Sequence, residues 1–187
     1  ITLYDNVELQ IRRKSPILNF DGNGDYVTVT DCNDLDITDS ITLEAKIKVH
    51  DEGDTAKQLI YKQGAYYLNL GTGSSEYPEF AVKIAGEIRK VNLGEKIGLD
   101  EWVHLTGTYN YNTRTLSIYL NGELKNTNEL SGLGGYSIAT STNDLIMGGN
   151  NFYGDMTYAR IYNTALTTTQ VKRNSQGNIN FSDLVAW

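Results

Sequence analysis

From Ile41 to Val49 the side chains change character at every step: Ile41, Leu43, Ala45, Ile47 and Val49 are apolar, while Thr42, Glu44, Lys46 and Lys48 between them are polar. A period of two fits an extended strand with one face on a core and the other toward water, and it fits no helix. Shorter stretches that read as strands recur at 17–20, 26–29, 58–62, 66–70, 79–84, 102–109, 115–120, 144–147 and 156–162. Turn residues separate them, among them Asp21-Gly22-Asn23-Gly24, Gly71-Thr72-Gly73-Ser74, Asn110–Asn112 and Gly148-Gly149-Asn150. Asn121-Gly122 is the sharpest hairpin signal, because both central residues of a type I′ turn need positive φ. One helical stretch is expected at 167–175, where Thr167 or Thr168 can cap the amino end and Leu166 and Val171 can point inward. The pattern predicts an all-β fold, a two-sheet antiparallel jelly-roll sandwich with one short C-terminal helix. Trp102 opens one of the strands and is expected to pack into the core.

The chain has 187 residues, no polar linker and no repeat, which fits a single domain over 1–187 with its core in about 17–174. A hydrophobic fraction of 40% supports that core without cross-links, and Cys32, the lone cysteine, allows no intramolecular disulfide. The net charge is −7 and the longest basic run is Arg12-Arg13-Lys14, so nucleic acid is not expected as a partner. No apolar stretch has the length of a spanning helix, and membrane insertion is not expected. Because the chain opens on Ile1 and stops at the apolar run 184–187, it reads as a segment of a longer chain, with neighbouring domains among its partners.

Polar and aromatic residues supply the candidate chemistry. Tyr61, Tyr66, Tyr67 and Tyr77 lie in one stretch with Gln63, Asn69 and Glu76, and Phe152-Tyr153 follows Asn150-Asn151. A sugar presents an apolar face to an aromatic ring and hydroxyls to amides and carboxylates, so Tyr66, Tyr67, Asn151 and Tyr153 are candidate ligand-binding residues. Alternation allows only one of Tyr66 and Tyr67 to face solvent. His104 shares a strand face with Trp102 and is expected to be a satisfied inward histidine, whereas Arg160 is expected to be a surface charge. No Ser-His-Asp constellation can be assembled.

Six blocks resemble, in order, the laminin G-like domains of the concanavalin A-like lectin/glucanase superfamily. They are Phe20-Asp21-Gly22-Asn23-Gly24-Asp25-Tyr26-Val27, Leu35-Asp36-Ile37-Thr38, Ile41-Thr42-Leu43-Glu44-Ala45, Trp102-Val103-His104-Leu105 with Thr108-Tyr109, Leu116-Ser117-Ile118-Tyr119-Leu120-Asn121-Gly122, and the stretch from Met147-Gly148-Gly149 through Tyr153-Gly154 to Arg160-Ile161-Tyr162-Asn163-Thr164-Ala165-Leu166. The resemblance covers about 17–174 and implies the same sandwich.

It also implies a calcium site built from the carboxylate of the early Gly-Asp-Tyr segment, here Asp25, and from a late Asp. Asn23 and Gly22 can add carbonyl oxygens. Thr157 stands where the late Asp is usual, so Asp155, two residues earlier, is expected to serve with or without Thr157; Lys46 stands where Trp is usual. The bland reading of Asp21–Asp25 is a solvated tight turn. Laminarinase-like hydrolases of the superfamily carry Glu-x-Asp-x-x-Glu on a strand, but the matching stretch here, Glu52-Gly53-Asp54, lies in a polar loop with Lys57 in the last place.

The implied function is a non-catalytic binding module, first for a glycan, of a secreted or cell-surface multidomain protein. A protein-interaction or spacer domain of a surface or virion assembly ranks second, and a glycoside hydrolase third.

Overall fold

The computed structural model describes residues 16–51, 57–71, 77–132, 134–179 and 183–186. In chain order the elements are β1 (Leu18–Asp21), β2 (Val27–Val29), β3 (Ile41–Asp51), β4 (Gln58–Lys62), β5 (Tyr66–Asn69), β6 (Glu79–Ile84) and β7 (Glu87–Asn92). They continue with β8 (Trp102–Asn110), β9 (Thr115–Leu120), β10 (Glu123–Glu129), β11 (Leu145–Met147), β12 (Tyr153–Tyr162), α1 (Thr168–Ser175) and β13 (Leu184–Ala186). Two antiparallel sheets result. The seven-stranded sheet runs β1-β12-β3-β8-β9-β10 with β13 added beside β12, and the six-stranded sheet runs β2-β11-β4-β5-β6-β7. The expected sandwich and its short C-terminal helix are both present.

The alternation in 41–49 becomes the middle of the larger sheet. Ile41, Leu43, Ala45, Ile47 and Val49 are buried between the sheets, facing Leu68, Phe80 and Val82 from the smaller one within a single core. Close packing fixes some glycines: a Cβ at Gly107 would lie 2.2 Å from the Phe80 ring. The hairpin at 121–122 has φ 51° at Asn121 and 82° at Gly122, as a type I′ turn demands. Asn121 also accepts the His104 amide through Oδ1, which pins the turn to β8.

The phase of β8 is opposite to expectation. Val103, Leu105 and Tyr109 enter the core, so Trp102, paired with Lys48, lies half-buried on the outer face of the larger sheet. His104 and Thr106 share that outer face and are fully buried, because α1 and the chain leading into it cover part of it. Tyr119, Tyr162, Leu166 and Val171 form a second, smaller apolar cluster beneath the helix. Thr167 caps α1 through a reciprocal box with Gln170: its hydroxyl takes the Gln170 amide, and the Gln170 side chain takes the Thr167 amide.

Candidate functional site

The outer face of the six-stranded sheet carries two parallel rows of side chains, set by strand register. The first runs Thr28, Ile146, Tyr61, Tyr67, Ala81, Lys90 across β2, β11, β4, β5, β6 and β7. The second runs Gly149, Gln58, Asn69, Glu79, Asn92, two residues along β5, β6 and β7, three along β4, where a bulge adds a residue, and beyond the end of β11. One row is aromatic and aliphatic with a cation at its end. The other is amide and carboxylate.

Tyr61 and Tyr67 stand near-parallel, with ring centroids 6.0 Å apart and planes 30° apart. Tyr67 donates its hydroxyl to Glu79 Oε1 at 2.9 Å, and Lys90 Nζ reaches Glu79 Oε2 at 2.8 Å, so the two rows are tied together at their far end. Gln58 lies over Gly149, where an added Cβ would meet its Oε1 at 2.5 Å. Asn69 is 7% exposed and its Oδ1 is buried without a hydrogen-bond donor. Buried acceptors of that kind are rare and are normally satisfied by a ligand, water or protein group.

Of the two candidate tyrosines on β5, Tyr66 points into the core. It is 1% exposed, its hydroxyl donates to the Leu35 carbonyl at 2.9 Å, and burial raises its pKa beyond the ordinary phenol range. Tyr67 is therefore the member of the pair on the outer face. Tyr61, Asn69 and Gln58 gather around it through pairing across strands. Tyr77 is 39% exposed, while Glu76 and the 52–54 motif lie outside the described residues.

The loop candidates sit at one end of the sandwich. Asn151 Oδ1 accepts the Gly24 amide at 3.2 Å, and Tyr153, 45% exposed, packs against Gly22 and lies 5.2 Å from the His50 ring. Asp21 and Asp25 bind backbone locally: Asn23 donates its amide to Asp21 Oδ1, and Asp21 donates its own to Asp25 Oδ2 at 3.1 Å. Asp155 belongs to β12 and turns to other partners, with Oδ1 bonded by Asn19 Nδ2 and Oδ2 3.6 Å from His50 Nε2. Thr157 sits at an irregularity in the β12–β3 pairing and donates to the Lys46 carbonyl at 3.4 Å. Asp25 and Asp155 are thus held by separate sets of groups. Among the described residues no three His, Cys, Asp or Glu side chains converge as metal ligands.

The outer face of the seven-stranded sheet holds a closed polar cluster that strand alternation left unseen. Arg160 is 1% exposed rather than a surface charge, and its Nη1 donates to Glu44 Oε1 at 2.8 Å. Glu44 also accepts from the Tyr162 hydroxyl at 3.1 Å and from Asn174 Nδ2 on α1, and His104 Nε2 lies 3.4 Å from its Oε2. Arg160 stacks on Tyr158 with 3.5 Å from its central carbon to the ring centroid. Burial pushes the Glu44 carboxyl up, but His104, Arg160 and Asn174 together outweigh it and hold the group below its ordinary value. Burial also pushes the Tyr158 hydroxyl up, to about 12. The cluster fastens the helix to the sheet, and its charges face one another rather than a cleft.

A laminin G family model described as the Concanavalin A-like lectin/glucanases superfamily matches residues 21–172. No curated protein sequence matches the chain. Among solved structures, domain 4 of AbnA, an extracellular family 43 arabinanase from Geobacillus stearothermophilus solved in complex with arabinotriose, aligns at TM-score 0.60 and 16% identity over 86% of this chain and 87% of that one. A botulinum neurotoxin type C structure, concerned with cell entry through two ganglioside molecules, aligns at 0.61 and 16% over 83% and 40%. The binding domain of Paraclostridial Mosquitocidal Protein 1 aligns at 0.63 and 16% over 86% and 42%. The chain spans less than half of each toxin fragment. At these identities the likeness establishes the fold.

Proposed function

Since the chain belongs to the laminin G family of the concanavalin A-like lectin/glucanase superfamily, we propose that it is a non-catalytic glycan-binding module whose binding face is the outer face of the six-stranded sheet. The observation that carries this reading is the pair of rows: a Tyr61–Tyr67 aromatic pair beside the polar line Gln58, Asn69, Glu79. Sugars are amphipathic in the same sense. Their C–H faces lie on aromatic rings, and their hydroxyls both donate and accept. Glu79 fixes the Tyr67 ring before any ligand arrives, which lowers the entropic cost of stacking.

Glycoside hydrolysis needs two carboxyl groups, about 5–5.5 Å apart for retention or about 6.5–9.5 Å for inversion. Neither row offers a partner to Glu79, and Lys90 neutralises it. The binding of arabinotriose by the Geobacillus domain and the ganglioside dependence of the neurotoxin support a glycan as the ligand, and the extracellular setting of the arabinanase supports a secreted or cell-surface location.

A shallow site of this kind is expected to bind with a Kd of about 10 µM to 1 mM, equal to about 4–7 kcal/mol. The test is NMR titration with neutral and acidic oligosaccharides, arabinotriose first. Tyr61, Tyr67 and Asn69 resonances should move, and Tyr67→Ala should weaken binding about tenfold or more while the amide spectrum stays native. Shifts confined to Asn151 and Tyr153 would relocate the site to the loops. Silence across the whole panel would favour a protein-interaction or spacer role.

A further inference from the structure

We infer that the ligand of this face is a linear oligosaccharide of at least three units, laid across the strands from Tyr26 to Glu79, rather than one terminal sugar. This rests on the glycan-binding reading above. The two rows do not stop at Tyr61 and Gln58. An open groove lined by Tyr26, Gln58, Ile146, Gly149 and Asn150 continues them to the far edge of the sheet. Gln58 and Ile146 belong both to the groove and to the rows, so groove and rows form one track. Tyr26 is 61% exposed, the most open of the large hydrophobic residues described, and gives the track an aromatic group at its β2 end as Tyr67 does on β5.

Length follows from the strand spacing. From β2 through β11 and β4 to β5 there are three interstrand steps, about 14 Å in all, and one more step reaches Glu79 on β6. A single sugar ring covers only a fraction of that distance. The rows also repeat their chemistry along the track. Thr28, Ile146, Tyr61 and Tyr67 offer successive apolar contacts, while Gln58, Asn69 and Glu79 offer successive polar ones. A ligand that presents the same apolar side and the same polar side at every unit matches this better than a compact one. Lys90 balances the charge of Glu79, and Asp25, which also lines the groove, places a carboxylate at the β2 end, so neutral sugar units are favoured over acidic ones.

The experiment uses graded series of arabino-, xylo-, cello- and N-acetylglucosamine oligosaccharides, from one to six units, titrated by calorimetry and followed by amide NMR. In a series that binds, affinity should rise about tenfold or more between the disaccharide and the tetrasaccharide and then level off. The Tyr26 and Asn150 amides should respond to the tetrasaccharide and not to the monosaccharide. Tyr26→Ala, made at an exposed position, should reduce the gain with length to less than about threefold. Equal affinity for monosaccharide and hexasaccharide, or a gain with length that Tyr26→Ala leaves intact, would overturn the extended site while leaving glycan binding in place. No binding by any of the four series would reject both.

Discussion

The outer faces of the two sheets use polar residues in opposite ways. On the seven-stranded sheet Glu44, His104, Arg160 and Asn174 are all at or below 1% exposure, and they bond or face one another beneath α1. On the six-stranded sheet no helix among the described residues lies over the rows, Tyr61 and Tyr67 are half-buried, and Asn69 keeps an acceptor without a donor. Polar groups that face one another beneath a covering helix add rigidity and are shielded from a ligand, although His104 Nε2, like Asn69 Oδ1, makes no hydrogen bond. Groups held in place with capacity to spare are what a binding face needs. The same sandwich thus separates fastening from recognition, one on each side of its core, and perturbing either face should leave the other unchanged.

The largest effect is expected from Arg160→Ala. It strips the guanidinium from a fully buried carboxylate and should cost about 3–5 kcal/mol in urea denaturation. The double variant Glu44→Gln, Arg160→Met removes both charges and should lose clearly less, since a buried pair replaced by neutral groups of similar size is often tolerated. Oligosaccharide titration of the folded variant should match the parent. A loss below about 1 kcal/mol for Arg160→Ala would mean that water reaches Glu44 and that the cluster does not fasten the helix.

A smaller effect is expected from pH. Glu44 titrates below its ordinary 4.5 in the folded chain because His104, Arg160 and Asn174 favour its charged form more than burial opposes it. A depressed folded value adds stability that is fully present above the unfolded value and is lost as pH falls through the folded one. The urea midpoint should therefore hold from neutral pH to near 4.5 and fall below it, with a shallower fall in Glu44→Gln. Identical acid limbs in parent and variant would remove Glu44 from the account.

Much of the fold could be read from residue order because its strands alternate cleanly. β4, β6 and β9 have the bounds that their apolar spacing suggests, and the helix differs only in that Thr167 is its cap rather than its first residue. The misses have physical causes. β7 places Ile88 outside at 48% exposure and turns Arg89 toward the core side, which inverts the usual pattern. The hairpin at Asn121-Gly122 marks the start of β10, but exposure at every position leaves no apolar stripe to show that the strand runs on to Glu129. Both faces of β8 carry large side chains, Trp102 and His104 on one and Leu105 and Tyr109 on the other, and composition alone does not fix the phase.

The candidate site was legible only in part for a different reason. Alternation separates Tyr66 from Tyr67, but the meeting of Tyr61 with Tyr67, and of Gln58 with Asn69 and Glu79, depends on register between strands. The charged cluster is likewise assembled from residues up to 130 positions apart, and Arg160 looks like any outward residue until a helix is laid over it.

Calcium is expected to have the least effect, and the reason lies in how the loop end differs from both sheet faces. Calcium takes six to eight oxygens and, in a family-type site, would draw on Asp25 and Asp155 together. Asp25 Oδ2 already accepts the Asp21 amide, Asn151 Oδ1 accepts that of Gly24, and the two Asp155 oxygens face Asn19 and His50. An ion shared between them would have to displace these partners with Thr157 in place of the usual second carboxylate. A bound ion at one hundred times its Kd would add about 2.7 kcal/mol, or several degrees of Tm for a chain of this size. Tm in saturating calcium and in chelator is expected to agree within about one degree. A shift of several degrees that disappears in Asp25→Ala would show that the loop releases its own hydrogen bonds to take the ion, and would make the loop end a second region whose polar groups have capacity to spare.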